Sequence, residues 1–344
     1  MEPCPVLVGR QQELSALRAV LDSGGGVAIV SGEAGIGKSR LVRELAASAV
    51  DAGRVVLWAR PEEVAQPGPY ALIVDLLESI AEGAGGAAKS EARALGSELT
   101  RSDSDGQRPA PAPRAIAAEV RGLVARLGKP PLMVMEDLHW ADERSHSVVL
   151  HLVRAARDDQ HIVVATLRPE RGKSEASLAR LLDSVARERV AEEIALAPLD
   201  SAGMAEMLEL IWERPATEEE LNELARLGEG VPFFIEELAT ARQEAGKTQV
   251  PRSIEQSVAA RVADLGEEAA RVLRAASLMT GALHVAVLAL ACDLPNDRVA
   301  AHLTAAAGAG LLVDLEDRLV FRHSLAREAI ASGLISVETA QTHG

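Results

Sequence analysis

Short runs of apolar residues recur along the first 200 positions: "VAIVS" (27–31), "RVVLWAR" (54–60), "PLMVMED" (131–137), "HIVVATLR" (161–168) and "EEIALAPL" (192–199). Runs this short, hydrophobic almost throughout, predict strands buried on both faces. Between them the apolar positions change to helical spacing. Leu41, Val42, Leu45, Ala46 and Ala49 mark a helix over 39–51, and further helices are predicted over 70–81, 114–127 and, behind Asp142 as a cap, 143–157. Strands alternating with helices predict a parallel sheet covered on both faces. Residues 83–113 break the pattern. They are rich in Gly, Ala, Ser and Pro, and read as a mobile surface insertion with one short helix near 88–99.

After about residue 200 the strand signal vanishes. Helices are predicted over 201–212, over 218–228 behind the capping box of Thr217 and Glu220, and over 232–244. A second capping-box pattern, Ser253 with Gln256, opens a set near 254–264, 267–279, 284–291 and 296–309. Residues 311–323 then read as a hairpin turning at Glu316 and Asp317. The predicted organisation is an α/β P-loop domain over 1–199, a three-layer sandwich around a parallel sheet. A small helical domain over 200–250 and a winged-helix-like domain over 251–344 follow.

The first predicted strand runs into "GEAGIGKSRL", which fits G-x-x-x-x-G-K-[ST] with Gly32, Gly37, Lys38 and Ser39 in place. Glycines let successive N–H groups curl toward phosphate oxygens, and the following helix adds its positive N-terminal end. Lys38 is placed to reach the β- and γ-phosphates and Ser39 to ligate Mg²⁺, with Gly35, Ile36 and Arg40 completing the loop. A dinucleotide fingerprint fits less well, since Arg40 stands at its third glycine position. The motif therefore predicts ATP or ADP with Mg²⁺.

A phosphate-loop nucleotidase needs an acid near the metal at the end of a neighbouring strand. "LMVMEDLHWAD" (132–142) supplies Glu136 and Asp137. Glu136 is expected to hold Mg²⁺ and Asp137 to orient the attacking water. The second acid is the shorter one, about a methylene short of the reach a Glu would have. General-base geometry is sensitive on that scale. Tight binding with slow turnover is the expectation.

Composition narrows the partners. The chain has 344 residues and a net charge of −15, which disfavours generic nucleic-acid binding. No run of about 18 apolar residues predicts a membrane span. Cys4 and Cys292 stand far apart with no metal spacing around them, and the N-terminus lacks a secretory pattern, so a cytoplasmic protein is expected.

As an ordered set, "VGR", "GEAGIGKSRL", "EDLHWAD", "ATLRPE", "GVPFFIEEL" and "FRHSLAREAI" resemble the STAND class of P-loop ATPases. The likeness is to the nucleotide-binding module of large LuxR-type transcriptional regulators. The resemblance implies that Val8, Gly9 and Arg10 lie along the adenine, that Arg168 senses the γ-phosphate, that Pro232 packs on the adenine, and that His323 contacts the phosphates. Each position also has a plain structural reading: a cap or salt bridge for Arg10, a surface arginine for Arg168, a first-turn helix proline for Pro232, a packed histidine for His323. The implied function is a regulatory switch. ATP or ADP would change how the helical and winged-helix domains sit on the sheet domain, with self-association in the ATP state. Relatives read DNA through a further C-terminal domain. Residues 251–344 carry eight Arg, no Lys and eleven Asp plus Glu, so DNA contact is expected only through regions outside this chain. The alternative is an AAA+ motor or loader of the origin-recognition kind, which would need fast turnover and a basic DNA surface.

Overall fold

The computed structural model describes residue 4 and residues 6–331, apart from 62–67, 105–110, 129, 170–175, 246–250, 280–281 and 316–317. Five strands form one parallel sheet: β1 (Gly26–Ser31), β2 (Val56–Ala59), β3 (Leu132–Met135), β4 (Ile162–Leu167) and β5 (Ala191–Ala195). Their spatial order is β2-β3-β4-β1-β5. β3 and β4 are buried along their whole length, as an uninterrupted apolar run requires. The register sets Met135 beside both Ala59 and Ala165, and Ser31 beside Leu167. Because all the strands are parallel, the residues after β1, β2, β3 and β4 leave the sheet at one edge.

Seven helices accompany this sheet among the described residues: α1 (Gln11–Asp22), α2 (Lys38–Asp51), α3 (Ala71–Gly83), α4 (Gly86–Ser104), α5 (Pro113–Ala125), α6 (Glu143–Ala155) and α7 (Ala176–Glu188). Asp142 caps α6 as expected, its carboxylate accepting from the N–H groups of Arg144 and Ser145 at 3.0 Å. The short helix predicted near 88–99 is present and longer than predicted, so the reading of residues 83–113 as a surface insertion is corrected in part. α4 takes up most of that stretch, and it buries Ala88, Ala92, Leu95 and Leu99 against α3 and its neighbours. Alanine is the strongest helix former, so a segment rich in it folds as a helix despite its weak hydrophobic contrast. α1 and α7 had no prediction. Both are amphipathic, burying Leu17 and Leu21 in the one, and Leu178, Leu181 and Val185 in the other.

The chain divides into two compact units. The sheet unit comprises Arg10–Glu33 and Gly37–Ala197. The helical unit takes the N-terminal residues up to Gly9, the loop tip Ala34–Ile36, and the chain from Pro198 onward. It contains α8 (Ser201–Trp212), α9 (Glu218–Gly228), α10 (Pro232–Ala245), α11 (Arg252–Asp264), α12 (Glu267–Ser277), α13 (Val285–Cys292) and α14 (Asn296–Gly308). An antiparallel hairpin of β6 (Leu312–Leu315) and β7 (Arg318–Phe321) follows, then helical residues 324–331. The predicted turn at Glu316 and Asp317 lies outside the described residues. One apolar core, including Leu208, Leu224, Ile235, Val272, Leu303 and Leu325, runs through this unit.

The capping box of α9 is present: Thr217 and Glu220 exchange side-chain and backbone hydrogen bonds. Glu220 also receives both arms of Arg214 at 2.8 and 2.9 Å, while that guanidinium lies 4.9 Å from the Trp212 ring centroid. The Arg214 donors, then the Thr217 backbone N–H, lower the Glu220 carboxyl to about 2. The second predicted capping box does not form. α11 starts at Arg252 behind Pro251, and the Ser253 hydroxyl bonds the Glu237 carboxylate on α10 instead. A tertiary partner outcompetes the local cap.

Candidate functional site

Between Ser31, which ends β1, and Lys38, which starts α2, the chain makes the curl that the motif requires. Gly37 is the N-cap of α2 with φ +101°, and Gly35 has φ +82°, both strained for any L side chain. A Cβ on Gly37 would meet nothing within 4 Å, so there is open space beside the N-terminus of α2. Lys38 is buried, and its ammonium bridges back to the carbonyls of Gly32 at 2.7 Å and Glu33 at 2.8 Å. Those bonds hold a positive charge inside the curl. Ser39 and Arg40 follow in the first turn of α2, half-buried.

The tip of the loop belongs to the helical unit. Ile36 is fully buried, and the Phe233 N–H donates to the Gly35 carbonyl at 3.2 Å. A Cβ on Gly35 would stand 2.9 Å from that of Phe233, so only glycine lets the tip approach.

Past β3 come the two acids. Glu136 is 3% exposed, and its N–H continues the ladder onto the Ala59 carbonyl at 2.9 Å. Its Oε1 is buried with no hydrogen bond among the described residues. Asp137 takes the left-handed conformation, φ 49°, and its N–H is held by the hydroxyl of buried Thr166 on β4 at 2.9 Å. His146 braces the turn from α6, its Nε2 2.9 Å from the Leu138 carbonyl.

Arg60, the residue after β2, faces both acids. Its Nε lies 3.6 Å from Glu136 Oε2 and its Nη2 3.8 Å from Asp137 Oδ2. Its own N–H is anchored on Asp75 of α3 at 2.5 Å. Sequence reasoning passed over Arg60 and Thr166, although both lie inside predicted strands.

The residues fit a nucleotide with Mg²⁺. An orphan carboxylate oxygen at Glu136, a hydroxyl at Ser39 and open space at the helix N-terminus are what a hard cation carried on phosphates uses. Among the described residues no group of three or more His, Cys, Asp or Glu could hold a metal by itself.

Arg168 follows β4 at the same sheet edge, with a buried Nε that makes no hydrogen bond among the described residues. Arg10 is buried and engaged, donating to the Ala197 carbonyl at 2.5 Å and to Glu13 at 3.2 Å. The sheet unit thus gathers Gly32, Gly37, Lys38, Ser39, Arg40, Glu136, Asp137 and Arg168, and holds Arg10 at its beginning. The helical unit holds Val8, Gly9, Gly35, Ile36, Pro232 and His323. Val8 is buried, and Gly9, with φ +64°, lies so close to Leu199 that a Cβ would stand 2.9 Å from that side chain. Pro232 is the first residue of α10, next to the Phe233 that meets Gly35. His323 is nearly buried, packed edge-on against Phe234 at 5.1 Å, and its Nδ1 is 2.9 Å from a Glu229 carboxylate oxygen.

Residues 6–165 match the family model of the AAA ATPase domain. The matched stretch takes in the phosphate loop and both acids. Over 267 residues the chain is 27% identical to an uncharacterized protein of Rhizobium meliloti (strain 1021); the match covers 67% of this chain and 24% of that protein. The chain therefore spans about a quarter of that relative's length. The Walker-type ATPase of Pyrococcus abyssi shares the fold with a TM-score of 0.63 at 16% identity, over 94% of this chain and 96% of that one. The ORC1 protein of Aeropyrum pernix, solved in complex with DNA, gives 0.53 at 15% identity, over 98% and 96%. At these identities the likeness is one of fold. No helix among the described residues is long and apolar enough to cross a membrane.

Proposed function

We propose that the chain is an ATP/ADP-binding regulatory switch with slow hydrolysis, the nucleotide module of a LuxR-type transcriptional regulator whose self-association follows the bound nucleotide. The observation that carries this reading is the acid pair. Glu136 precedes the shorter Asp137, and Arg60 lies within 3.8 Å of both carboxylates. A site built for rapid turnover needs its water-orienting acid long and uncontested. Here it is short, its backbone N–H is fixed on the Thr166 hydroxyl, and its carboxylate is shared with a guanidinium.

The residues divide the work as follows. The N–H groups of the glycine loop and the Lys38 ammonium bind the phosphates. Ser39 and Glu136 hold Mg²⁺, which when bound neutralises phosphate charge and fixes its orientation. Asp137 orients water, and Arg168, whose buried Nε makes no hydrogen bond among the described residues, serves the γ-phosphate. Val8, Gly9 and Pro232 serve the adenine. His323, whose Nδ1 meets Glu229, is the residue that the resemblance assigns to the phosphates. The helices from Arg252 to Gly308 with the β6–β7 hairpin are read as a winged-helix-like domain, whose acidic balance disfavours DNA contact.

Identifying the nucleotide released on denaturation, together with steady-state turnover, tests the reading. About one turnover per minute or less is expected, far below typical enzymes. Asp137→Ala should lower it further while nucleotide stays bound. Several turnovers per second would overturn the switch in favour of a motor or loader.

A further inference from the structure

Glu229 follows α9 with φ 52° and ψ 26°, the left-handed C-cap conformation that glycine adopts without strain. It stands between Gly228 and Gly230, yet a charged residue is kept there. Its carboxylate reaches a turn 94 residues further along the chain. Oε2 meets His323 Nδ1 at 2.9 Å, and Oε1 accepts the Ser324 N–H at 2.9 Å.

That turn begins the helical residues 324–331, and the Arg327 N–H closes on the His323 carbonyl. His323 is therefore the N-cap, and the Ser324 N–H is one of the donors that a helix cannot satisfy for itself. Glu229 supplies the acceptor from a different element, and places negative charge at the positive end of that helix. The Phe234 ring packs edge-on against His323 at 5.1 Å, and the histidine is only 8% exposed. Burial alone would raise the Glu229 carboxyl. The His323 and Ser324 donors outweigh it and hold the group below its ordinary range.

We propose that Glu229 is a clasp: its carboxylate caps the helix that begins at Ser324 and pairs with His323, holding the segment after the hairpin on the bundle of α8, α9 and α10 by one charge-assisted contact. The two ends of the clasp lie in or beside the segments "GVPFFIEEL" and "FRHSLAREAI", which the phosphate loop and its acids leave unexplained. The apolar core of the helical unit runs beneath it. Releasing the clasp loosens the turn and the start of the helix after it, while Leu325 and Ile330 still anchor that helix in the core. The inference does not depend on which nucleotide the sheet unit binds.

Two substitutions in the full chain separate the clasp from ordinary packing. Glu229→Gly removes the carboxylate and relieves the left-handed backbone, so a merely conformational residue would leave the unit as stable or more so. Glu229→Gln keeps size and removes charge. With the clasp, hydrogen exchange of the amides from Ser324 to Ile330 speeds up about tenfold in both variants, while the β3 amides keep their rates. By NMR, the titration midpoint of His323 falls in Glu229→Gln, because the imidazolium has lost its carboxylate partner. Unchanged exchange at residues 324–330 in Glu229→Gly overturns the proposal. So does acceleration spread evenly over the whole helical unit, which would mean global destabilisation.

Discussion

Arg60→Ala is the substitution that bears most directly on the acid pair. The guanidinium lies 3.6 Å from Glu136 and 3.8 Å from Asp137, with 54% of its side chain exposed. At those separations Coulomb's law gives about 1 kcal/mol per pair in a water-like medium and about 4 at an effective dielectric constant of 20. Half-exposure selects the lower end, in line with the 0.2–1 kcal/mol that exposed pairs typically contribute. Two acids together thus hold Arg60 with about 1–2 kcal/mol, and a divalent cation that uses Glu136 must compete with that. Removing Arg60 should lower the Mg²⁺ concentration for half-maximal nucleotide binding by about tenfold. Arg60→Lys, which keeps the charge on a point donor, should shift it less. The Arg60 N–H would still reach Asp75, so the backbone stays in place, and the melting temperature should change little. The assay is a Mg²⁺ titration of ADP binding at low and high ionic strength. Screening should shrink the difference between parent and variant at high salt. Identical Mg²⁺ midpoints for the parent and Arg60→Ala at low salt would refute the claim that Arg60 contests the acids.

Three further expectations follow from the same geometry. Lys38→Ala removes one charge-assisted phosphate contact, about 1.5–3 kcal/mol, so ATP affinity measured by calorimetry should fall about tenfold or more. Leu99→Ala on α4 empties a fully buried position and should cost about 2–5 kcal/mol in denaturant unfolding; a loss under about 0.5 would mean that α4 does not pack as described. Glu220, lowered to about 2 by Arg214 and Thr217, contributes stability that is complete above the ordinary carboxylate range near 4.5 and lost as pH falls through about 2. Glu220→Gln should therefore melt below the parent at pH 7, with the gap closing between about pH 4.5 and 2, as followed by circular dichroism.

What could be read from the chain beforehand depended on how local the determining interaction is. The five strands were legible because each carries its whole signal in a few consecutive residues, and the phosphate loop because its glycines, lysine and serine are contiguous. α4 carried its signal in the spacing of Ala88, Ala92, Leu95 and Leu99. Two of those four are alanines, so the stripe contrasts little with the Gly and Ser around it. The Ser253 cap failed for the opposite reason: the pattern was local and strong, but Glu237 on another helix offered the hydroxyl a better partner. Arg60, Thr166 and Glu229 have no local signature at all. Arg60 matters only because the register sets Ala59 beside Met135, which brings the next residue of each strand together at the sheet edge. Thr166 matters only because β4 lies on the other side of β3. Once the strands were predicted to be parallel, however, their C-terminal ends had to emerge at a common edge, whatever their order. The last residue of "RVVLWAR" was therefore already bound to stand at the same edge as the residue after "LMVM". A basic group there shares that edge with the acids whichever order the strands take, and the Mg²⁺ titration of the Arg60 variants reads whether it contests them.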